Sequence, residues 1–167
     1  MNHMNQTSLQ FDINNRKYLG SKNRLLDFLE RKILQNVPNK IRSFVDIFSG
    51  TGVVANHFKK FSKTVIANDI LYSNFVVNKV FLNSTRDNVR ITKVRKFLDI
   101  LNRLKPYKGY CYKNFGGTYF TKENAAYIDV IREKIEQLKK NKVATVQEYY
   151  ILLTSLLFAI DKITNTV

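Results

Sequence analysis

The run Phe44-Val45-Asp46-Ile47-Phe48-Ser49-Gly50-Thr51-Gly52 decides the reading of this chain. Phe44, Val45, Ile47 and Phe48 surround the single carboxylate of Asp46, and this mostly apolar stretch over 43–48 predicts a buried strand. The glycines Gly50 and Gly52 cut it off. A parallel strand that ends in Gly-x-Gly lets backbone approach a ligand closely, because glycine has no Cβ and tolerates positive φ. Helical spacing resumes over 53–61 through Val54, Phe58 and Phe61, and 64–69 is a second β-branched run ending in Asn68 and Asp69. The order is strand, glycine turn, helix, strand.

Asp69 stands 17 positions beyond Gly52, where a nucleoside-binding fold places a carboxylate to accept hydrogen bonds from ribose hydroxyls. A phosphate-binding loop needs a Lys followed by Ser or Thr after its last glycine, but Val53 and Val54 follow Gly52, which argues against an ATPase or GTPase. A dinucleotide fold stays open, although the third glycine of its fingerprint is missing and Ala55 is the only small residue nearby. S-adenosylmethionine suits the turn better than NAD. The competing reading is a plain strand-turn-helix with a solvent-facing Asp69, and the joint spacing of glycines and acid weighs against it.

Working outward, 22–35 places Leu25, Leu26, Leu29 and Ile33 on one helical face, and Pro38 follows where that helix would end. Beyond Asp69 the pattern turns helical. Val76, Val77, Val80 and Phe81 share helical spacing, as do Val94, Phe97, Leu101 and Leu104. The stretch 105–120 carries Pro106, Gly109, Gly116 and Gly117 and reads as a loop. Ile128, Ile131, Ile135 and Leu138 mark a further helix, and Tyr149, Leu153, Leu156 and Ile160 a last one. A soft boundary near Thr85 therefore divides a 1–15 extension and a 16–85 α/β part from a mainly helical 86–167.

The chain has 167 residues, 44% of them apolar, enough for one domain with a real core. Its 28 Lys and Arg against 13 Asp and Glu leave a formal net charge of +15, which favours polyanions through release of counterions from phosphates. Cys111 is the sole cysteine and His3 and His57 the sole histidines, so an intrachain disulfide is impossible and no recognisable zinc cluster can form. The first 15 residues are too polar for a signal peptide, and the longest apolar stretch, 149–160, is broken by Thr154 and Ser155 and too short to span a bilayer. The expected setting is cytoplasmic, without a membrane.

Three segments together resemble the D12 class of adenine-N6 DNA methyltransferases, which includes the Dam-like enzymes. Arg16-Lys17-Tyr18-Leu19-Gly20-Ser21-Lys22 resembles the N-terminal motif of that class, 46–52 its Asp-x-Phe-x-Gly-x-Gly signature, and Ala67-Asn68-Asp69-Ile70 its ribose-binding motif, in the same order and spacing. Tyr119-Phe120-Thr121, with Glu123 and Asn124 after it, is similar to the recognition region of some type II modification methylases. The resemblance implies a Rossmann-like S-adenosylmethionine-dependent fold, here with an incomplete sheet, and adenine methylation in duplex DNA within a restriction-modification system. It implies that Tyr18, Gly20 and Lys22 line the methionine side, that Asp46, Phe48, Ser49, Gly50, Thr51 and Gly52 form the turn, and that Asp69 with Ile70 takes the nucleoside. A helix starting at Lys22 fits physically, since its first amides and the ammonium would attract the cofactor carboxylate.

The class also carries Asp or Asn, then Pro-Pro and an aromatic, as its catalytic motif. The only prolines here are Pro38 and Pro106, so the chain is expected to be an N-terminal portion, inactive alone, with the catalytic part missing downstream. Two parallel strands leave faces and edges that normally need further elements. For DNA, the densest basic stretch runs from Arg86 to Lys108 with Arg90, Lys93, Arg95, Lys96, Arg103 and Lys105. Arg86, Arg90, Lys93, Lys105, Lys108 and Lys113 are the candidate phosphate contacts. Tyr107, Tyr110, Tyr112, Phe115, Tyr119 and Phe120 interleave with lysines in a manner that suits stacking on nucleic acid. The alternatives are a noncatalytic DNA-binding module and an RNA methyltransferase.

Overall fold

The computed structural model describes residues 13, 20–37, 40–83 and 89–165. A short 3₁₀ turn at Asn23–Leu25 leads into α1 (Leu26–Asn36), β1 (Ile41–Asp46), α2 (Val53–Phe58), β2 (Ser62–Ala67) and α3 (Tyr72–Phe81). Four helices follow: α4 (Ile91–Leu101), α5 (Tyr110–Phe115), α6 (Lys122–Lys140) and α7 (Val146–Ile163). The chain is mixed α/β, mostly helical, with two parallel strands among the described residues.

β1 and β2 pair from Ile41 opposite Ser62 to Asp46 opposite Ala67. A parallel pair needs a crossover, and α2 supplies it. One face of the pair packs on α2, where the rings of Phe44 and Phe58 stack with centroids 4.3 Å apart. The other face presents Val45 and Ile66 to solvent. The expectation of a buried strand is therefore corrected: only Ile41 of β1 is buried. The strand also begins and ends two residues earlier than the apolar run suggests. After Asp46 the backbone must turn to reach the end of β2, with Asn68 N donating to Asp46 O at 2.8 Å and Ser49 N to Asn68 O at 2.9 Å. Ile47 and Phe48 ride on that turn rather than in the ladder.

Most of the core lies between helices. Val76 of α3, Val94, Phe97 and Leu101 of α4, Ile135 and Leu138 of α6, and Leu152, Leu153 and Leu156 of α7 form one cluster, each buried side chain contributing about 1.5–3 kcal/mol. The next residue of α3, Val77, faces the other way into a second cluster with Val53 of α2 and Phe158 of α7. α3 and α7 thus tie the sheet to the helices. α7 starts with a capping box, Thr145 with Glu148, as its sequence dictates.

The stretch 105–120 departs from its reading as a loop, because α5 forms inside it. The cause is distant in sequence. Asp129 of α6, itself buried, accepts the backbone amides of Cys111 at 2.8 Å and Tyr112 at 2.9 Å, satisfying the start of a helix too short to stand alone. Gly109 is required beside it, since a Cβ there would sit 2.6 Å from the Asp129 Cγ.

Candidate cofactor cradle and basic surface

The glycine turn is built on hydrogen bonds that the sequence alone does not reveal. Gly50 and Gly52 adopt φ of 53° and 81°, the left-handed region that glycine enters without steric cost. Gly50 N donates to Asp69 Oδ2 at 2.7 Å, so the acid at the end of β2 holds the turn at the end of β1. Its other oxygen accepts Leu71 N and Asn74 Nδ2, both at 2.9 Å. Asp69 is fixed from three sides.

Beneath the turn lies a buried polar network. Ser49 Oγ donates to Asn68 O at 3.0 Å and accepts Asn78 Nδ2 at 2.9 Å. Asn74 and Asn78 are one helical turn apart on α3 and both buried, so one stripe of α3 supports the turn and its acid together. These two asparagines escaped the sequence reading, since a polar residue inside an apolar helical pattern gives no sign of the partner it finds. Thr51 and Ser49 are both buried. Gly52 packs so closely on Asn78 that an added Cβ would lie 2.0 Å from Oδ1.

Asp46 is half-buried below the same turn. Burial pushes its carboxyl above the ordinary range, the amides of Phe48 and Ala55 draw it back, and the charge of Asp69 adds to the rise. Above the turn the character changes. Phe48 is 85% exposed and Ile70 97% exposed, two large apolar side chains immediately past the strand ends where water would otherwise discourage them. Gly20 has a φ of 83° with nothing within 4 Å of a Cβ position, and Lys22 Nζ donates to Gly20 O at 2.9 Å. Tyr18 lies outside the described residues. His57 belongs to the scaffold: its Nε2 is 2.6 Å from Glu30 Oε2, joining α2 to α1.

The basic candidates separate into two groups. Arg90 binds Glu148 with two hydrogen bonds of 2.6 Å, and Lys93 Nζ donates to Val143 O at 2.8 Å. Both tie α4 and its approach to the start of α7. Lys105, Lys108 and Lys113 are exposed around α5, with the Lys108 ammonium 5.7 Å from the Tyr112 ring centroid. Arg86 lies outside the described residues. Cys111 is buried, and burial followed by the Asp129 charge pushes its thiol up, which makes it a poor nucleophile. Among the described residues no cluster of metal-binding side chains occurs, and no helix is long and apolar enough to cross a membrane.

Residues 18–167 match the family described as D12 class N6 adenine-specific DNA methyltransferase. The chain is 35% identical over 157 residues to type II methyltransferase M.NlaIII of Neisseria lactamica, covering 89% of this chain and 46% of that protein. It is 33% identical over 161 residues to modification methylase StsI of Streptococcus sanguinis, covering 90% of this chain and 24% of the relative. Type II methyltransferase M.FokI of Planomicrobium okeanokoites is 30% identical over 167 residues, with 89% and 25% covered. The chain thus spans less than half the length of these curated relatives. No solved structure matches it.

Proposed function

Because this chain belongs to the D12 class of N6 adenine-specific DNA methyltransferases, we propose that it forms the S-adenosylmethionine cradle and part of the DNA-contacting surface of an enzyme that methylates adenine in duplex DNA. The observation that carries the reading is the Asp69 carboxylate clamped to the Gly50 amide, with the exposed apolar residues Phe48 and Ile70 close by in sequence. That combination fits a nucleoside. A carboxylate at this rim is the acceptor type that ribose hydroxyls donate to, and the apolar pair suits the faces of an adenine ring. Gly50 is partly exposed at the rim. Gly20 and Lys22 lie ahead of the 3₁₀ turn Asn23–Leu25 that leads into α1, rather than at a helix starting at Lys22, and the ammonium there would attract a carboxylate.

The bound cofactor would supply an electrophilic methyl group. The residues described above would orient it: the glycine turn sets its depth, Asp69 fixes the sugar, and Phe48 and Ile70 keep water from the ring. The target adenine must leave the duplex to react, because its amino group is otherwise engaged in pairing. The catalytic Asp-Pro-Pro-aromatic run does not occur in this sequence, so we assign the methyl transfer itself to a part of the enzyme outside these residues and expect the chain alone to be inactive. The family supports a Rossmann-like fold for the whole enzyme, of which 16–85 would be the opening and 86–167 a recognition region. The type II names of the relatives support a place in restriction-modification.

Nucleoside mass spectrometry tests this. Duplex DNA is incubated with S-adenosylmethionine and a polypeptide joining this chain to a downstream segment that carries an Asp-Pro-Pro-Tyr run. The expected product is N6-methyladenine; methylcytosine as the product overturns the adenine assignment.

A further inference from the structure

Between Lys105 and Lys122 the sequence carries four lysines, Lys105, Lys108, Lys113 and Lys122, and no acidic residue. The structure gives that stretch a defined shape. Tyr110 and Tyr119 both meet Phe115 edge to face, with ring centroids 6.0 and 5.9 Å away and interplanar angles of 66° and 68°. Phe115 is partly buried, whereas Tyr110 is 73% exposed and Tyr119 52% exposed. One ring therefore props two others that face solvent.

Each end of this row is anchored from elsewhere in the fold. Asp129 of α6 grips the backbone beneath Tyr110 through the Cys111 and Tyr112 amides. On the other side Phe120 N donates to Phe115 O at 3.2 Å and Gly117 N to Phe120 O at 2.7 Å, closing a tight turn that carries Tyr119. Asn165, past the end of α7, donates its backbone amide to Tyr119 O at 2.9 Å and its Nδ2 to Thr118 O at 3.1 Å. By contrast the neighbouring Glu133 carboxylate, and then burial, push the Tyr107 hydroxyl above its ordinary range. The two exposed tyrosines are held in place at little remaining entropic cost, the condition under which aromatic side chains make useful contact surfaces.

We infer that the Tyr110–Phe115–Tyr119 row is a stacking surface for an unpaired base of a DNA strand, with Lys113 and its neighbouring lysines holding the adjoining phosphates. Tyrosine faces accept any base by stacking, and the stretch itself carries four lysines and no carboxylate, Asp129 behind it being buried and engaged by the Cys111 and Tyr112 amides. Lys113 lies one helical turn from Tyr110 and so shares its side of α5. The row would hold a strand opened by base extrusion. This assignment rests on the proposed action on DNA, yet it stands apart from the cofactor cradle, so the two can fail separately.

The test uses the full chain and a short, end-labelled DNA duplex with one unpaired fluorescent adenine analogue, beside its fully paired counterpart and an RNA duplex of the same sequence. The native chain is expected to prefer the DNA duplex with the unpaired base and to quench the analogue. Tyr110→Ala and Tyr119→Ala should each weaken that binding about 5- to 150-fold, the range that stacking on one aromatic ring spans. Tyr110→Phe and Tyr119→Phe should bind like the native chain, and far-ultraviolet circular dichroism checks that all four fold. Alanine variants that bind and quench like the native chain overturn the inference, as does a native chain indifferent to the unpaired base. Tighter binding of the RNA overturns it in favour of an RNA partner. Heat of S-adenosylmethionine binding, measured on the same variants, should be unchanged; its absence in the native chain with the tyrosine effect intact would sink the cradle and leave the stacking surface standing.

Discussion

The Asp69 carboxylate and the Gly50 amide meet at 2.7 Å across 19 residues of sequence. This contact joins two separate strand ends into one rim. Charge-assisted bonds to a carboxylate are worth about 1.5–3 kcal/mol when buried from water, so the turn is held in place before any ligand arrives. Asn74 extends the control one step further, because it orients Asp69 from a fully buried position on α3.

Gly52→Ala should damage the rim from below. Its φ of 81° disfavours any Cβ, and the added atom would meet Asn78 Oδ1 at 2.0 Å. A cost of roughly 1–3 kcal/mol follows from backbone strain alone, or a fall of about 2–4 °C in melting temperature per kcal/mol for a chain of this size. Gly20→Ala shares the positive φ but meets nothing within 4 Å, so it should fall less. Calorimetric melting of both variants checks the order, and equal melting temperatures for Gly52→Ala and the native chain would refute the packing argument.

Glu148 should make stability fall in acid. Burial pushes its carboxyl up, but the Arg90 guanidinium and the amides of Thr145 and Arg90 together hold it at about 2, against an ordinary value of 4.5. A depressed carboxylate stabilises the fold above its unfolded value, and that contribution is lost as pH falls from about 4.5 toward 2. Urea melts across this window should show the loss, and Glu148→Gln should flatten it while lowering stability at neutral pH. A native chain whose stability holds steady from pH 5 to about 2 contradicts the account.

These pairs show where the sequence was legible. The order of strand, turn, helix and strand followed from Gly50, Gly52 and Asp69, and six helices followed from apolar spacing, because burial of one face leaves a periodic trace. The end of β1 was misplaced since Ile47 and Phe48 look like core residues, yet they lie on an exposed turn whose course is set by bonds to Asn68 and Asp69. α5 was missed because its start depends on Asp129, which lies 18 residues from Cys111. Arg90 resembled its basic neighbours until folding paired it with Glu148, 58 residues away. Contacts of that reach leave no local pattern.

The three exposed lysines around α5 should govern salt dependence. If each of Lys105, Lys108 and Lys113 neutralises a phosphate, its change to Ala should lower the slope of log affinity against log salt by roughly 0.9, similarly for any duplex sequence. Arg90→Ala should act instead through stability, since its guanidinium is engaged by Glu148. Fluorescence anisotropy titrations at several salt concentrations distinguish these, and unchanged slopes in all three lysine variants would remove them from the DNA surface.

Isothermal titration of S-adenosylmethionine into the native chain and into Asp69→Ala decides whether the proposed cradle around Asp69 holds the cofactor. The account predicts saturable heat with the native chain and affinity at least about tenfold weaker in the variant, as loss of one or more charge-assisted bonds requires. Equal binding by both, or no binding by the native chain, would contradict it.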